Sequence, residues 1–230
     1  MPIRNIFFDI GFTLLFQNTS ITLAPLLRAG FRPTQQQLYS AEKFAKLRLD
    51  EAHARPGKGK GSDFDFWGNY HWHLMQNFAL NDDLIFGELI LLSRTSANWT
   101  RPAEGIPALL EELRKTYTLG VISNADGKLE RSLEKLGLKS YFATVTDSGV
   151  VGHDKPSPAI FQTALAAQNA EARESIYVGD ILSLDYNGAR SAGMHSLLID
   201  VAGVYSGQAA LERIPNFSQF SAALAKIASQ

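Results

Sequence analysis

Apolar and polar positions follow two different rhythms along this chain. In the first fifteen residues, Ile6, Phe7, Phe8 and Ile10 form a short apolar run of strand-favouring residues, the pattern of a strand buried on both faces. From about residue 17 to 97 the apolar positions return at helical spacing. Segments near 20–29, 34–54, 63–80 and 82–97 read as amphipathic helices, with Leu38, Phe44, Leu47 and Leu49, then Leu84, Ile85, Leu89 and Leu92, on the repeating positions. Asp63, and Asn81 or Asp82, suit helix N-caps. The glycines and basic residues of 55–61 read as a flexible loop. That loop is not a phosphate-binding P-loop, because Gly59-Lys60 is followed by Gly61 rather than Ser or Thr and no buried strand precedes it.

From about Trp99 strands and helices alternate. A helix opens near Gly105 and carries Leu109, Leu110 and Leu113; the apolar run 119–122 leads into Ser123-Asn124. A helix from Asp126 ends at Gly137, a residue suited to a left-handed cap. Residues 142–146 make a short strand, and Ser157-Pro158 opens a helix with its cap and first-turn proline in order. Residues 175–178 form a strand ending in Gly179-Asp180, a helix runs on through Met194, 196–199 is the last strand, and 209–228 is helical. Strands alternating with helices predict an α/β fold built on a doubly wound parallel sheet.

Composition narrows the function without naming it. The chain has 230 residues, 45% of them hydrophobic and 20% charged, with a net charge of −1, so bulk charge does not recruit nucleic acid or an anionic membrane. There is no basic flank with a long apolar run and small-residue cleavage site, and no stretch approaches a membrane span. With no cysteine there is no disulfide framework, thiolate metal site or cysteine nucleophile. A cytoplasmic protein with neither nucleic-acid nor membrane partner is expected.

Candidate chemistry sits at the ends of the predicted strands. Asp9-x-Gly11-x-Thr13 ends the first, Ser123-Asn124 the second, and Gly179-Asp180 the fourth, with Asp185 five residues on; Lys155 precedes a helix in Lys155-Pro156-Ser157-Pro158. Each has a plainer reading alone: Asp9 or Asp180 as a helix cap, Lys155 as a solvated loop lysine, Ser123-Asn124 as a helix entry. In a parallel sheet, however, the carboxyl ends of neighbouring strands converge on one crevice. Asp9 also lies within an apolar run, where an ionised carboxylate costs several kcal/mol unless a cation or donors meet it. His71 and His73, two residues apart, do not share a helical face and make a poor metal pair. The aromatic group Phe64, Phe66, Trp67, Tyr70 and Trp72 reads as packing, with Trp67 and His71, one turn apart, the residues expected to face the crevice.

These motifs, in this order, resemble the haloacid dehalogenase superfamily of aspartate-nucleophile hydrolases, most of which are phosphatases. The resemblance spans nearly the whole chain: the strand with Asp9 and Thr13, the strand to Ser123, Lys155 before Pro156–Phe161, Val178-Gly179-Asp180 with Asp185, and the stretch 188–194. It implies a core of residues 1–16 and 98–230, with 17–97 as the helical cap domain that many members insert. It further implies a Mg²⁺-dependent phosphohydrolase acting on a small phosphorylated metabolite. Asp9 would form an aspartyl-phosphate. Asp9, Asp180 and the backbone carbonyl of Gly11 would hold Mg²⁺, with Asp185 orienting the metal or its waters. Thr13, Ser123, Asn124, the amides of the following helix start and Lys155 would bind the phosphate, with Trp67 and His71 from the cap.

One position departs from the family. Phosphatases of this kind usually carry a second aspartate two residues after the nucleophile as general acid and base; here it is Gly11. General acid–base catalysis is worth ~10²–10⁴-fold. The expected enzyme is therefore slow, or favours acyl, aryl or anomeric phosphates whose leaving groups need little protonation, unless water or a group such as His153 supplies the proton. The alternatives are a catalytically inactive binding or interaction protein, a metal-independent 2-haloacid dehalogenase, and a phosphonatase using one of the cap lysines, Lys43, Lys46, Lys58 or Lys60, as a Schiff base.

Overall fold

In the computed structural model, residues 2–55 and 65–229 are described. The expected loop beyond Arg55, with Lys58 and Lys60, the cap expected at Asp63, and Phe64 lie outside the described residues. The chain opens with strand β1 (Asn5–Phe8), a turn and a short strand β2 (Leu15–Gln17). Helices α1 (Thr19–Thr22), α2 (Ala24–Arg28), α3 (Gln35–Ala54), α4 (Phe66–Gln76) and α5 (Asp83–Arg94) follow, and β3 (Trp99–Pro102) then pairs antiparallel with β2. Beyond it run α6 (Ile106–Leu113), β4 (Thr118–Ser123), α7 (Leu129–Lys135), β5 (Thr144–Asp147), α8 (Ser148–Val151), α9 (Pro158–Ala167) and β6 (Ser175–Gly179). A π-helical turn (Leu182–Tyr186) leads into α10 (Asn187–Ser191), then β7 (His195–Ile199), β8 (Arg213–Ile214) and α11 (Phe220–Ala228).

The main sheet has the order β5-β4-β1-β6-β7-β8, and every neighbouring pair is parallel. Alternation along the central strands explains the two covered faces. Ile6, Phe8, Val121, Ile176 and Val178 pack with Leu110, Leu133 and Phe220 on one side; Phe7, Ile122 and Tyr177 pack with Ile160, Phe161 and Ala164 on the other. Fully burying each such aliphatic or phenylalanine side chain is worth ~1.5–3 kcal/mol. The helices between β2 and β3 have their own core around Leu26, Ala41, Ala45, Tyr70, Leu74 and Leu89. No described helix is long and apolar enough to cross a membrane.

The fold is the doubly wound α/β class that alternation predicts, and several elements differ in detail. The helix expected over 20–29 is two short ones, broken at Leu23 before Pro25, which has no N–H to donate. Helix α3 begins where Thr34 and Gln37 form a reciprocal capping box, and Asp82 caps α5. The helix expected from Asp126 starts three residues later, because Asp126 accepts from Lys128 N–H in a turn; Gly137 takes the left-handed conformation as expected. The strand over 196–199 is not the last: β8 adds a sixth strand, and the helix expected from 209 is confined to 220–228, behind Pro215 and the Asn216 cap.

The insert between β2 and β3 is tied to the sheet through α3. Asp50 accepts from Ser183 N–H at 2.9 Å and from the Tyr205 hydroxyl at 2.9 Å, and that hydroxyl accepts from Leu182 N–H at 3.0 Å. Leu47, on the same side of the helix, packs on the cluster of Tyr186, Leu198 and Tyr205.

Candidate active site

The chain leaves β1 to build β4 and β5 on one side of it and β6, β7 and β8 on the other. The order of strands therefore reverses at β1, the place where open α/β sheets bind ligands. A cavity of about 670 Å³ opens there, floored by Asp9, Ser123, Lys155, Asp180 and Asp185 from the sheet ends and roofed by Trp67, Arg94 and other residues of the insert. Asp9, the first residue past β1, anchors its N–H on Val178 O at 2.8 Å.

Lys155 is the hub of the floor. Its ammonium, buried with the rest of the side chain, donates to Asp9 Oδ1 at 2.6 Å, to Asp185 Oδ1 at 2.7 Å and to the Tyr177 hydroxyl at 2.8 Å. The Tyr177 O–H in turn donates to Ile122 O at 2.8 Å, which closes the network across β6 and β4. Burial works against the Lys155 charge, but Asp185 and Asp9 outweigh it and hold the ammonium firmly protonated. Asn124 does not stand free for a phosphate: its Oδ1 accepts from Lys155 N–H at 2.7 Å and its Nδ2 donates to Lys155 O at 3.1 Å. It clamps the backbone that carries the lysine.

The acidic side is organised by Asp185. Its Oδ2 accepts from Asp180 N–H at 3.0 Å and Ile181 N–H at 2.8 Å, and its Oδ1 takes Lys155, with the Tyr177 hydroxyl oxygen 3.2 Å away. Gly179 is required by this packing, since a Cβ there would lie 2.5 Å from Asp185 Cγ. Asp180 meets the insert: Lys46 Nζ, from α3, lies 2.8 Å from Asp180 Oδ2 and 2.6 Å from Glu42 Oε1 one turn earlier. Burial pushes Asp180 up to about 8, with Lys46 opposing that rise and Asp185 and Asp9 adding to it. Asp9 is raised too, by burial first, with Lys155 pulling the other way and Asp185 adding to the rise.

Beside burial, these shifts share an electrostatic cause. Asp9, Asp180, Asp185 and Glu42 bring four formal negative charges, and Lys46 and Lys155 bring two positive ones, which leaves two negative charges unmatched. A divalent cation matches that deficit. The donors are oxygens, as Mg²⁺ prefers, and Asp180 Oδ2 is buried with an ion-pair partner but no directed hydrogen bond. Asp9 and Asp180 fit such an ion, with the Gly11 backbone beside them on the cavity wall. Asp185 already has both oxygens accepting, from Lys155 and from the Asp180 and Ile181 amides. Among the described residues no group of three or more His, Cys, Asp or Glu side chains is arranged around a metal position.

The remaining expectations divide. Ser123 closes β4 on the cavity floor, and Trp67 lines the roof. Thr13 is fully buried, off the cavity, with its hydroxyl making no hydrogen bond among the described residues. His71 does not face the site. It stacks on Trp67 with ring centroids 6.0 Å apart, as one-turn spacing implies, but lies deeper, with Nε2 2.8 Å from Ser93 Oγ, and burial pushes its pKa down to about 3. Three of the amides past Ser123 are already engaged: Ala125 N–H gives to Ser148 Oγ, and Gly127 and Leu129 N–H give to Asp147. His153 is exposed and off the cavity wall.

Gly11 has a structural reason. A Cβ at this position would stand 3.2 Å from the indole of Trp99, whose Nε1–H donates to Ser93 O at 2.9 Å. Phe12, in the left-handed conformation at φ 54°, packs its ring edge-on to Trp99 at 5.3 Å. Aromatic rings thus crowd the point where a side chain at this position would start.

The class defined by fold and site is a doubly wound α/β protein with a carboxylate–lysine centre at the switch point of its sheet, roofed by a helical insert. The family model described as haloacid dehalogenase-like hydrolase matches residues 88–199. Haloacid dehalogenase-like hydrolase domain-containing protein 3 of Bos taurus is 42% identical over 97 residues, 42% of this chain and 39% of the relative, so the match spans about two fifths of that relative's length. A glyceraldehyde 3-phosphate phosphatase of Methanothermobacter thermautotrophicus is 28% identical over 211 residues, 86% of each chain. Among solved structures, a haloacid dehalogenase-type hydrolase of Bacillus subtilis bound to magnesium has a TM-score of 0.70 at 16% identity, covering 97% of this chain and 99% of its own, a likeness of fold. Within residues 88–199 the chain is similar to the haloacid dehalogenase-like hydrolases, and it shares their fold over nearly its whole length.

Proposed function

We propose that the chain is a Mg²⁺-dependent phosphohydrolase acting on a small phosphorylated metabolite. The observation that carries this reading is the meeting of Asp9, Lys155 and Asp180 in one cavity at the switch point of the sheet, 2.6 Å separating Asp9 from Lys155. Residues 17–97 serve as a cap over a core of 1–16 and 98–230, and the site works in the cytoplasm. Two relatives named as phosphatases support the chemistry, a glyceraldehyde 3-phosphate phosphatase and an N-acylneuraminate-9-phosphatase.

Asp9 attacks phosphorus through the carboxylate oxygen that Lys155 leaves open; the bond from phosphorus to the leaving oxygen breaks, and an aspartyl-phosphate results. Water then cleaves the acyl phosphate and restores the carboxylate. Lys155 holds Asp9 ionised and faces the phosphate charge, while Ser123 hydrogen-bonds a phosphate oxygen. Asp9, Asp180 and the Gly11 carbonyl hold the Mg²⁺, which when bound neutralises phosphate charge. With Trp99 against Gly11, no side chain at that position protonates the leaving group, so substrates with acidic leaving groups react best. The aromatic wall of Phe12, Trp67 and Trp99 suits an aryl or otherwise apolar leaving group.

A panel of alkyl, aryl, acyl and sugar phosphates assayed with and without Mg²⁺ tests this. Aryl and acyl phosphates should turn over fastest, and Asp9→Asn should lower kcat by about 10³-fold or more. The crowding at Gly11 also favours a second reading, an inactive binding protein of the same fold; no turnover on any phosphate by a well-folded chain selects it. A 2-haloacid dehalogenase would release halide from 2-chloropropionate in EDTA. A phosphonatase Schiff base needs an uncharged lysine, whereas Asp180 and Glu42, outweighing burial, hold Lys46 protonated.

A further inference from the structure

Resting on the metal reading above, we propose that Lys46 competes with the divalent cation for Asp180, so that metal affinity is set by a lysine carried on the helical insert. Lys46 is 1% exposed, with its ammonium between Glu42 Oε1 at 2.6 Å and Asp180 Oδ2 at 2.8 Å and the ring of Phe12 at 5.7 Å. It does not line the cavity and so touches no substrate there. It acts through Asp180 and is a positioning residue.

Three features separate this pair from a purely structural salt bridge. The two partners of Lys46 come from different parts of the fold, Glu42 from its own helix and Asp180 from the end of β6. Asp180 is one of two carboxylates whose oxygens fit the cation. An ammonium and a divalent ion a few ångströms apart in a largely dehydrated site repel each other by far more than thermal energy, so strong occupancy of one weakens the other. Glu42 gives Lys46 somewhere to go: it keeps one carboxylate when Asp180 turns to the metal. The contact on the core side would then be lost, leaving α3 held chiefly by Asp50 on Ser183 and Tyr205. Metal binding and docking of the insert are thereby linked, and linkage runs both ways.

The test is direct binding of Mn²⁺ followed by the electron paramagnetic resonance of the free ion, in the unaltered chain and two variants with opposite expected signs. Lys46→Met removes the competitor and should bind Mn²⁺ about tenfold tighter or more. Glu42→Gln takes away the alternative partner, drives Lys46 onto Asp180 and should weaken binding about threefold. A structural role would shift both in the same direction through loss of folding. Equal affinities, or shifts of the same sign, overturn the inference and leave the metal reading standing; binding by none of the three chains overturns both. Near-ultraviolet circular dichroism of each variant checks the fold, and Glu42→Gln carries the test alone, by its sign, should Lys46→Met fail to fold.

Discussion

Two buried lysines face the same group of carboxylates, and they are held in opposite ways. Lys155 is fixed by partners belonging to the sheet and its loops: Asp9, Asp185, Tyr177, and the Asn124 amide on its backbone. Lys46 comes from the insert, with one partner on its own helix and one across the boundary. One ammonium is built into a rigid unit; the other depends on how two units are docked. A charge in the first setting defines the site, and a charge in the second is able to report on or respond to what binds there.

The largest effect should come from Lys155. Lys155→Met strands Asp9 and Asp185 in the interior with no cation between them, and breaking a buried pair in this way costs about 3–5 kcal/mol. Lys46→Met strands Glu42 and Asp180 at a boundary that can part and let water in, so its cost should be clearly smaller. Urea denaturation of both variants in EDTA compares them. Equal losses would break the distinction between a fixed and a docked lysine.

Stability against pH sharpens it next. The folded chain holds the Asp180 carboxyl up to about 8 against 3.8 for an ordinary aspartate, so folding favours its protonated form. A group raised in this direction contributes stability that is complete below the unfolded value and lost as pH climbs through the folded one. In EDTA the melting temperature should therefore fall between about pH 5 and pH 8, and Asp180→Asn or added Mg²⁺ should flatten the slope. A melting temperature that rises across this window would contradict the charge count of the site.

Much of the site was legible because it lies at strand ends and the strands are regular. Asp9, Lys155, Asp180 and Asp185 are flanked by apolar runs or by Gly and Pro, and strand alternation places them on one edge. Lys46 was hidden for the converse reason: Glu42 and Lys46 at i,i+4 look like any solvated helical pair, and only tertiary packing turns that face inward. Tyr177 was concealed inside an apolar run where a tyrosine reads as core, although its hydroxyl is a partner of Lys155. His71 shares the helical face of Trp67, as one-turn spacing implies, but it lies deeper, against Ser93, and spacing along a helix carries no information on depth. The strands β2, β3 and β8 span two to four residues, too few to show a period.

Gly11 tests the core side at smaller scale. Gly11→Asp alone should cost ~1–3 kcal/mol, since its Cβ meets Trp99 at 3.2 Å, and should not speed hydrolysis of alkyl phosphates. Joined with Trp99→Ala, the carboxyl gains room, and activity toward poor leaving groups should rise relative to Trp99→Ala alone. A faster single variant would mean that the indole yields readily and is not what excludes the acid.

The smallest change probes the docked side where Lys46 is untouched. Tyr205→Phe removes one hydroxyl that donates to Asp50 and accepts from Leu182 N–H. Asp50 keeps Ser183 N–H at 2.9 Å, so the loss in global stability should be about 1 kcal/mol, the usual net worth of a hydrogen bond. Its effect on the insert should be out of proportion to that figure, because this bond crosses the boundary that Lys46 also crosses. Hydrogen exchange should speed up in α3 around residues 46–50 while the amides of β1 and β6 stay protected. Were exchange to rise equally in the sheet and in α3, the insert would open only with global unfolding, and the contrast between the two lysines would be one of position alone.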